Sequence, residues 1–144
     1  MTDKRILVVD DDDAIRALLF TILRKRGFKV DSARSGVEAM ARCASCRYAV
    51  MLLDMMMPMM SGYEVLEEMG KKPRGERPVI IVLTAGIEPR NLPADVVAGT
   101  IRKPFDIELL ADTVSACLTT MAGWVQAADC PSADSDCVPG DDAN

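Results

Sequence analysis

Short, wholly apolar runs alternate along this chain with longer stretches in which apolar residues recur every three or four positions. Ile6–Val9 is aliphatic throughout and ends abruptly in acid, the pattern of a strand buried on both faces. Ala14–Arg26 carries Ile15, Leu18, Leu19, Ile22 and Leu23 at helical spacing and stops at Gly27. Phe28–Ala33 is a second strand candidate. Ser35 can cap a helix from Gly36 to about Arg47, with Val37, Met40 and Ala41 on one face. Ala49–Leu53 is a third buried strand, ending in Asp54. Ser61 starts a helix to about Met69, and Lys71–Pro78 is a polar turn. Val79–Leu83 is a fourth strand, ending at Thr84. Pro89 and Pro93 allow at most a short or broken helix over Glu88–Ala98. Thr100–Arg102 is a short fifth strand before Lys103, and Asp106 caps a last helix through about Met121.

Alternating apolar strands and helices with short connections imply an α/β fold, a parallel sheet with helices on both faces. Beyond Trp124 there is almost nothing to bury. The expected organisation is one domain over residues 1–123 and a disordered acidic tail over 124–144.

Bulk properties narrow the function classes. The 144 residues suit one domain, and 49% hydrophobic with 27% charged residues is ordinary for a globular protein. A net charge of −5 and a pI near 4.7 argue against direct nucleic-acid binding through a broad basic surface. No signal peptide is visible, and no stretch approaches the roughly 20 apolar residues of a membrane span. A cytoplasmic protein without membrane insertion is the expectation. Five cysteines, an odd number, make a disulfide framework unexpected there. Cys43 and Cys46 form a C-x-x-C. With no histidine and no second such pair, they read as helix packing residues rather than a redox or zinc site.

Candidate chemistry lies at the strand ends, where open parallel sheets bind ligands. The first strand ends in Asp10 and Asp11, the third in Asp54, the fourth in Thr84 and the fifth in Lys103. If those strands are neighbours, the groups converge. Crowded carboxylates repel one another unless a cation joins them, and Mg²⁺ needs few protein oxygens. Lys103 and Thr84 could neutralise and hydrogen-bond phosphate oxygens, which is most of what phosphoryl transfer asks of a protein. Asp54 would be the nucleophile, forming an acyl phosphate. Asp12 and Asp13 read instead as N-terminal residues of the first helix. The run Met55, Met56, Met57, Met59, Met60 reads as adaptable packing, since soft thioethers do not suit a hard-ion site.

The segments ILVVDDDDAIR, VMLLDMMMPMMSGYEVL around Asp54, IVLTA at Thr84 and IRKPFD at Lys103 resemble the receiver domain of two-component response regulators, here of the single-domain type, over roughly residues 4–122. The resemblance implies a doubly wound, flavodoxin-like, five-stranded sheet in the order 2-1-3-4-5. Five helices would flank it, the fourth short or irregular. It further implies that Asp54 accepts phosphoryl from a histidine kinase or phosphotransfer protein. Asp11, Asp54 and the Met56 backbone carbonyl would ligate Mg²⁺ directly, and Asp10 through water. Thr84 and Lys103 would bind phosphoryl oxygens, while Pro58 and Gly62 shape the loop after the nucleophile. Such a protein catalyses only its own phosphorylation and dephosphorylation, so it is not an enzyme in the usual sense. It signals by conformational change to a downstream protein target, as a monomer or weak dimer.

Two departures stand out. Thr100 replaces the usual Tyr or Phe three residues before the lysine, and the stretch between Thr84 and Lys103 is a few residues short. A rearranged Gly86–Gly99 loop would then carry the signal. In the family it resembles, the residues two after the phosphoacceptor and two after the threonine flank the attacking water; here they are Met56 and Gly86, neither of which can orient it, so slow self-hydrolysis is expected. Two rivals remain at this point: a haloacid-dehalogenase-type phosphatase built on Asp10 and Asp12, and a degenerate receiver acting as a phosphorylation-independent binding module.

Overall fold

A computed structural model of the protein describes residues 5–57, 60–84, 92–93, 95–103 and 105–120. Five parallel strands run β1 Arg5–Val9, β2 Lys29–Ala33, β3 Val50–Asp54, β4 Val79–Thr84 and β5 Val97–Arg102. The helices are α1 Asp13–Lys25, α2 Gly36–Ser45, α3 Gly62–Gly70 and α4 Ile107–Thr120, with a 3₁₀ turn at Arg74–Glu76. The sheet order is β2-β1-β3-β4-β5, as the resemblance implied.

Local chemistry explains the helix ends. The Asp12 carboxylate accepts from the amides of Ala14 and Ile15 at 2.9 and 3.2 Å. At the other end of α1, Gly27 N–H donates to the Arg24 carbonyl and Phe28 N–H to that of Leu23. This pairing requires a left-handed residue, and Gly27 takes φ 93°. Ser61 and Glu64 form a reciprocal capping box on α3. Asp106 accepts from the amides of Glu108 and Leu109, starting α4 as expected.

β1, β3 and β4 are buried on both faces, so the sheet divides two cores. Ile6, Val8, Leu52, Ile81 and Leu83 pack with α1 and α4 residues such as Leu19, Leu23, Leu110 and Val114. Leu7, Val9, Met51, Leu53, Ile80 and Val82 pack with Ala39 of α2 and with Val65, Leu66 and Met69 of α3. α2 starts so close to the chain before α3 that a Cβ on Gly36 would sit 2.5 Å from the Met60 carbonyl oxygen.

Two expectations need correction. β5 begins at Val97, not Thr100, because Val97 and Gly99 find ladder partners in Ile80 and Ile81 across a register shift. Pairing with β4 here outweighs the weak strand propensity of Ala98 and Gly99. The broken helix expected over Glu88–Ala98 loses its last residues to that strand, and most of the remainder lies outside the described residues. Among the described residues four α-helices flank the sheet. Cys43 lies in α2 and Cys46 at its C-terminal end, both packed against the core beneath that helix, as expected of packing residues. Burial pushes the Cys43 thiol up to about 11, consistent with packing rather than reactivity. Pro58, Gly86 and the 124–144 tail lie outside the described residues. No helix among the described residues is long and apolar enough to cross a membrane.

Candidate functional site

Parallel register brings the strand ends level. Val9 pairs with Leu53, Asp54 with Leu83, and Thr84 with Arg102. Residues that leave β1, β3, β4 and β5 therefore emerge along one edge. Carboxylate oxygens of Asp10, Asp11 and Asp54 all lie within 4.8 Å of one another. Asp10 and Asp54 are buried and Asp11 is exposed, so the cluster opens to solvent on one side.

Lys103 reaches into the cluster from the end of β5. Its ammonium donates to Asp10 Oδ2 at 3.0 Å and lies 3.6 Å from Asp54 Oδ1. Its backbone amide donates to the Thr84 carbonyl, tying the loop to β4. Asp10 is further held by the Asp12 amide, which donates to its Oδ1 at 2.9 Å. The Met56 amide donates to Asp54 Oδ1 at 3.3 Å, while its side chain is 70% exposed. Gly62 N–H closes the loop onto the Met55 carbonyl. A Cβ at Gly62 would lie 2.7 Å from Met55 Cα and 2.9 Å from the Asp54 carbonyl oxygen, so only glycine fits beside the loop that follows Asp54.

The site crowds negative charge, and Lys103 offsets only part of it. Burial pushes the Asp54 carboxyl up to about 6, and the Asp10 charge adds to this. Burial works against the Lys103 ammonium, but its hydrogen bond to Asp10 and the charges of Asp10 and Asp54 hold its pKa above the usual value. The Thr84 hydroxyl is buried and has no hydrogen-bond partner among the described residues. A buried orphan donor costs about 1–3 kcal/mol, which a ligand oxygen would recover. The residue set thus fits a hard divalent ion and an anionic oxygen group.

All the carboxylates and the lysine expected from sequence come together, and Asp12 and Asp13 take the helix positions expected of them. Thr100 lies exposed on β5. Sequence reasoning missed Arg16. Its Nη1 donates to the Asp10 carbonyl at 2.8 Å and its Nη2 to Asp13 Oδ1. The available signal was an arginine one turn past the acids, on a helix otherwise apolar on that side.

The model of the response regulator receiver domain family matches residues 6–115. Transcriptional regulatory protein ResD of Bacillus subtilis is 40% identical over 106 residues, 72% of this chain and 43% of that protein. Response regulator MprA of Mycobacterium avium is 39% identical over 117 residues, 79% of this chain and 50% of that protein. The chain thus spans about half the length of these curated relatives. A CheY-like receiver domain protein from Methanospirillum hungatei superposes with a TM-score of 0.75 at 28% identity, covering 85% of this chain and 99% of that one. The response regulator TrrA of Thermotoga maritima, solved in complex with Mg(2+)-BeF, superposes with a TM-score of 0.70 at 37% identity, covering 79% and 98%. With fold, site geometry and family match in agreement, this chain belongs to the response regulator receiver domain family of two-component signalling.

Proposed function

We propose that this receiver takes a phosphoryl group onto Asp54 from a histidine kinase or phosphotransfer protein, and passes the signal to a protein partner by a change of conformation. Asp11, Asp54 and the Met56 carbonyl would hold Mg²⁺, with Asp10 supporting through water. The bound ion would neutralise the carboxylates and phosphoryl oxygens as they approach. An Asp54 oxygen attacks phosphorus, the bond from phosphorus to the donor nitrogen breaks, and the donor imidazole leaves with the electron pair. Lys103 and the Thr84 hydroxyl take the phosphoryl oxygens, the latter gaining its missing partner.

The observation that carries this reading is the meeting of three carboxylates within 4.8 Å beside Lys103 and a buried hydroxyl with no partner among the described residues. The Mg(2+)-BeF complex of the related TrrA supports it by analogy. Incubation with acetyl phosphate and Mg²⁺, followed by intact mass spectrometry, should add one phosphoryl to the wild type and none to Asp54→Ala. No addition to the wild type would favour a module that works by binding alone.

A further inference from the structure

The turn between β1 and α1 holds a charged side chain to which the phosphoryl chemistry assigns no part. Arg16 sits one turn into α1, yet its side chain is only 14% exposed, whereas that of Asp13 beside it is 85% exposed. Helical side chains ordinarily interact with residues three or four positions away. Arg16 instead reaches back six positions, to the carbonyl at the end of β1. The same guanidinium also bonds Asp13, and the Arg16 backbone amide donates to the Asp12 carbonyl at 3.0 Å.

We propose that Arg16 is a positioning residue for the cation site, clamping the peptide between Asp10 and Asp11 against the first turn of α1. The inference rests on reading Asp10, Asp11 and Asp54 as that site. The carboxylate of Asp10 has its own anchors, the Asp12 amide and Lys103. Asp11 is exposed, so its direction toward Asp54 depends on how its backbone is held. Arg16 holds the peptide immediately before it. The planar fork suits the task, because one donor takes the carbonyl while another takes the Asp13 carboxylate. A lysine ammonium is a point charge that cannot span both in the same geometry. The exposed half of the contact contributes little to stability by itself, which leaves orientation of the strand end as its main consequence.

Charge and orientation pull in opposite directions here. A guanidinium beside a cation site repels the cation, so deleting its charge alone would tighten binding. Loss of a clamp would loosen it. The sign of the change therefore identifies the role.

Mg²⁺ is titrated into the full chain and followed by amide NMR shifts, for wild type, Arg16→Gln and Arg16→Lys. Urea unfolding in EDTA is measured alongside. The clamp predicts an affinity for Arg16→Gln weaker by about tenfold, the lower end of what outer-shell partners of metal sites contribute. Arg16→Lys, which keeps the charge, should also bind more weakly, and it carries the test if Arg16→Gln does not fold. Equal or tighter binding by the folded variants overturns the inference, as does a fall in EDTA stability with affinity unchanged. If the wild type itself binds no Mg²⁺, the reading of the cation site fails, and the clamp with it.

Discussion

Replacing Asp54 by asparagine should stabilise the metal-free protein. In the native state burial and the Asp10 charge raise the Asp54 carboxyl from its ordinary 3.8 to about 6. A raised carboxyl means that the native state disfavours the anion. The cost is absent at low pH, grows as pH rises from the unfolded value through the native one, and levels off above it. Two units at about 1.4 kcal/mol each set the plateau near 3 kcal/mol, with about half of that already present around pH 5. Asn keeps the shape and removes the charge, so Asp54→Asn should unfold in urea with up to about 3 kcal/mol more stability at pH 7.5 in EDTA. The gap should shrink on acidification. Saturating Mg²⁺ should narrow it too, because a cation at ten times its Kd stabilises the wild type by about 1.4 kcal/mol and the variant by less. An Asn variant no more stable than wild type at pH 7.5 in EDTA would refute the claim that the carboxylates are crowded.

Other consequences follow from the same geometry. Gly62→Ala places a Cβ 2.7 Å from Met55 Cα and should lower stability by about 1–3 kcal/mol, read by thermal denaturation. Lys103→Met removes the cation 3.6 Å from Asp54 Oδ1 and should slow acyl phosphate formation from acetyl phosphate by about 100-fold, measured as the initial rate of phosphoprotein appearance. Met56→Asn puts a hydrogen-bonding group at an exposed position whose amide touches Asp54. Radiolabel decay should then run several-fold faster than in wild type, and an unchanged half-life would remove Met56 from any account of phosphoryl lifetime.

Carboxylates gathered at the end of a sheet gain meaning from what surrounds them. In this protein the surroundings include a lysine from a distant segment and a hydroxyl without a partner among the described residues. They also include a glycine that lets the loop after Asp54 fold back on itself. The apolar strands beneath keep these groups at fixed spacing, since β1, β3 and β4 are buried on both sides. ResD and MprA carry further chain beyond the matched region, so the part that resembles this protein makes up about half of each.

Much of this was legible before any tertiary information. Apolar runs ending in Asp10, Asp54 and Thr84 mark buried strands with polar groups at their carboxyl ends. Ser61 with Glu64, Asp12, Asp106 and Gly27 mark helix ends, because each acts on backbone a few residues away. The order of the strands came from family likeness rather than from periodicity. Tertiary structure alone decided the rest. Lys103 meets Asp10 across 93 residues of sequence, and no local pattern encodes that distance. β5 starts early because β4 offers ladder partners, which outweighs local propensity. The same limit hides Arg5 and Tyr48, which converge on buried Asp31 at the far end of the sheet. It also hides Arg16, whose reach to the Asp10 carbonyl depends on the angle at which α1 leaves β1. Periodicity and capping are short-range physics and can be read along the chain. Burial, pKa and contact across strands depend on sheet pairing, which exists only once the whole chain has folded.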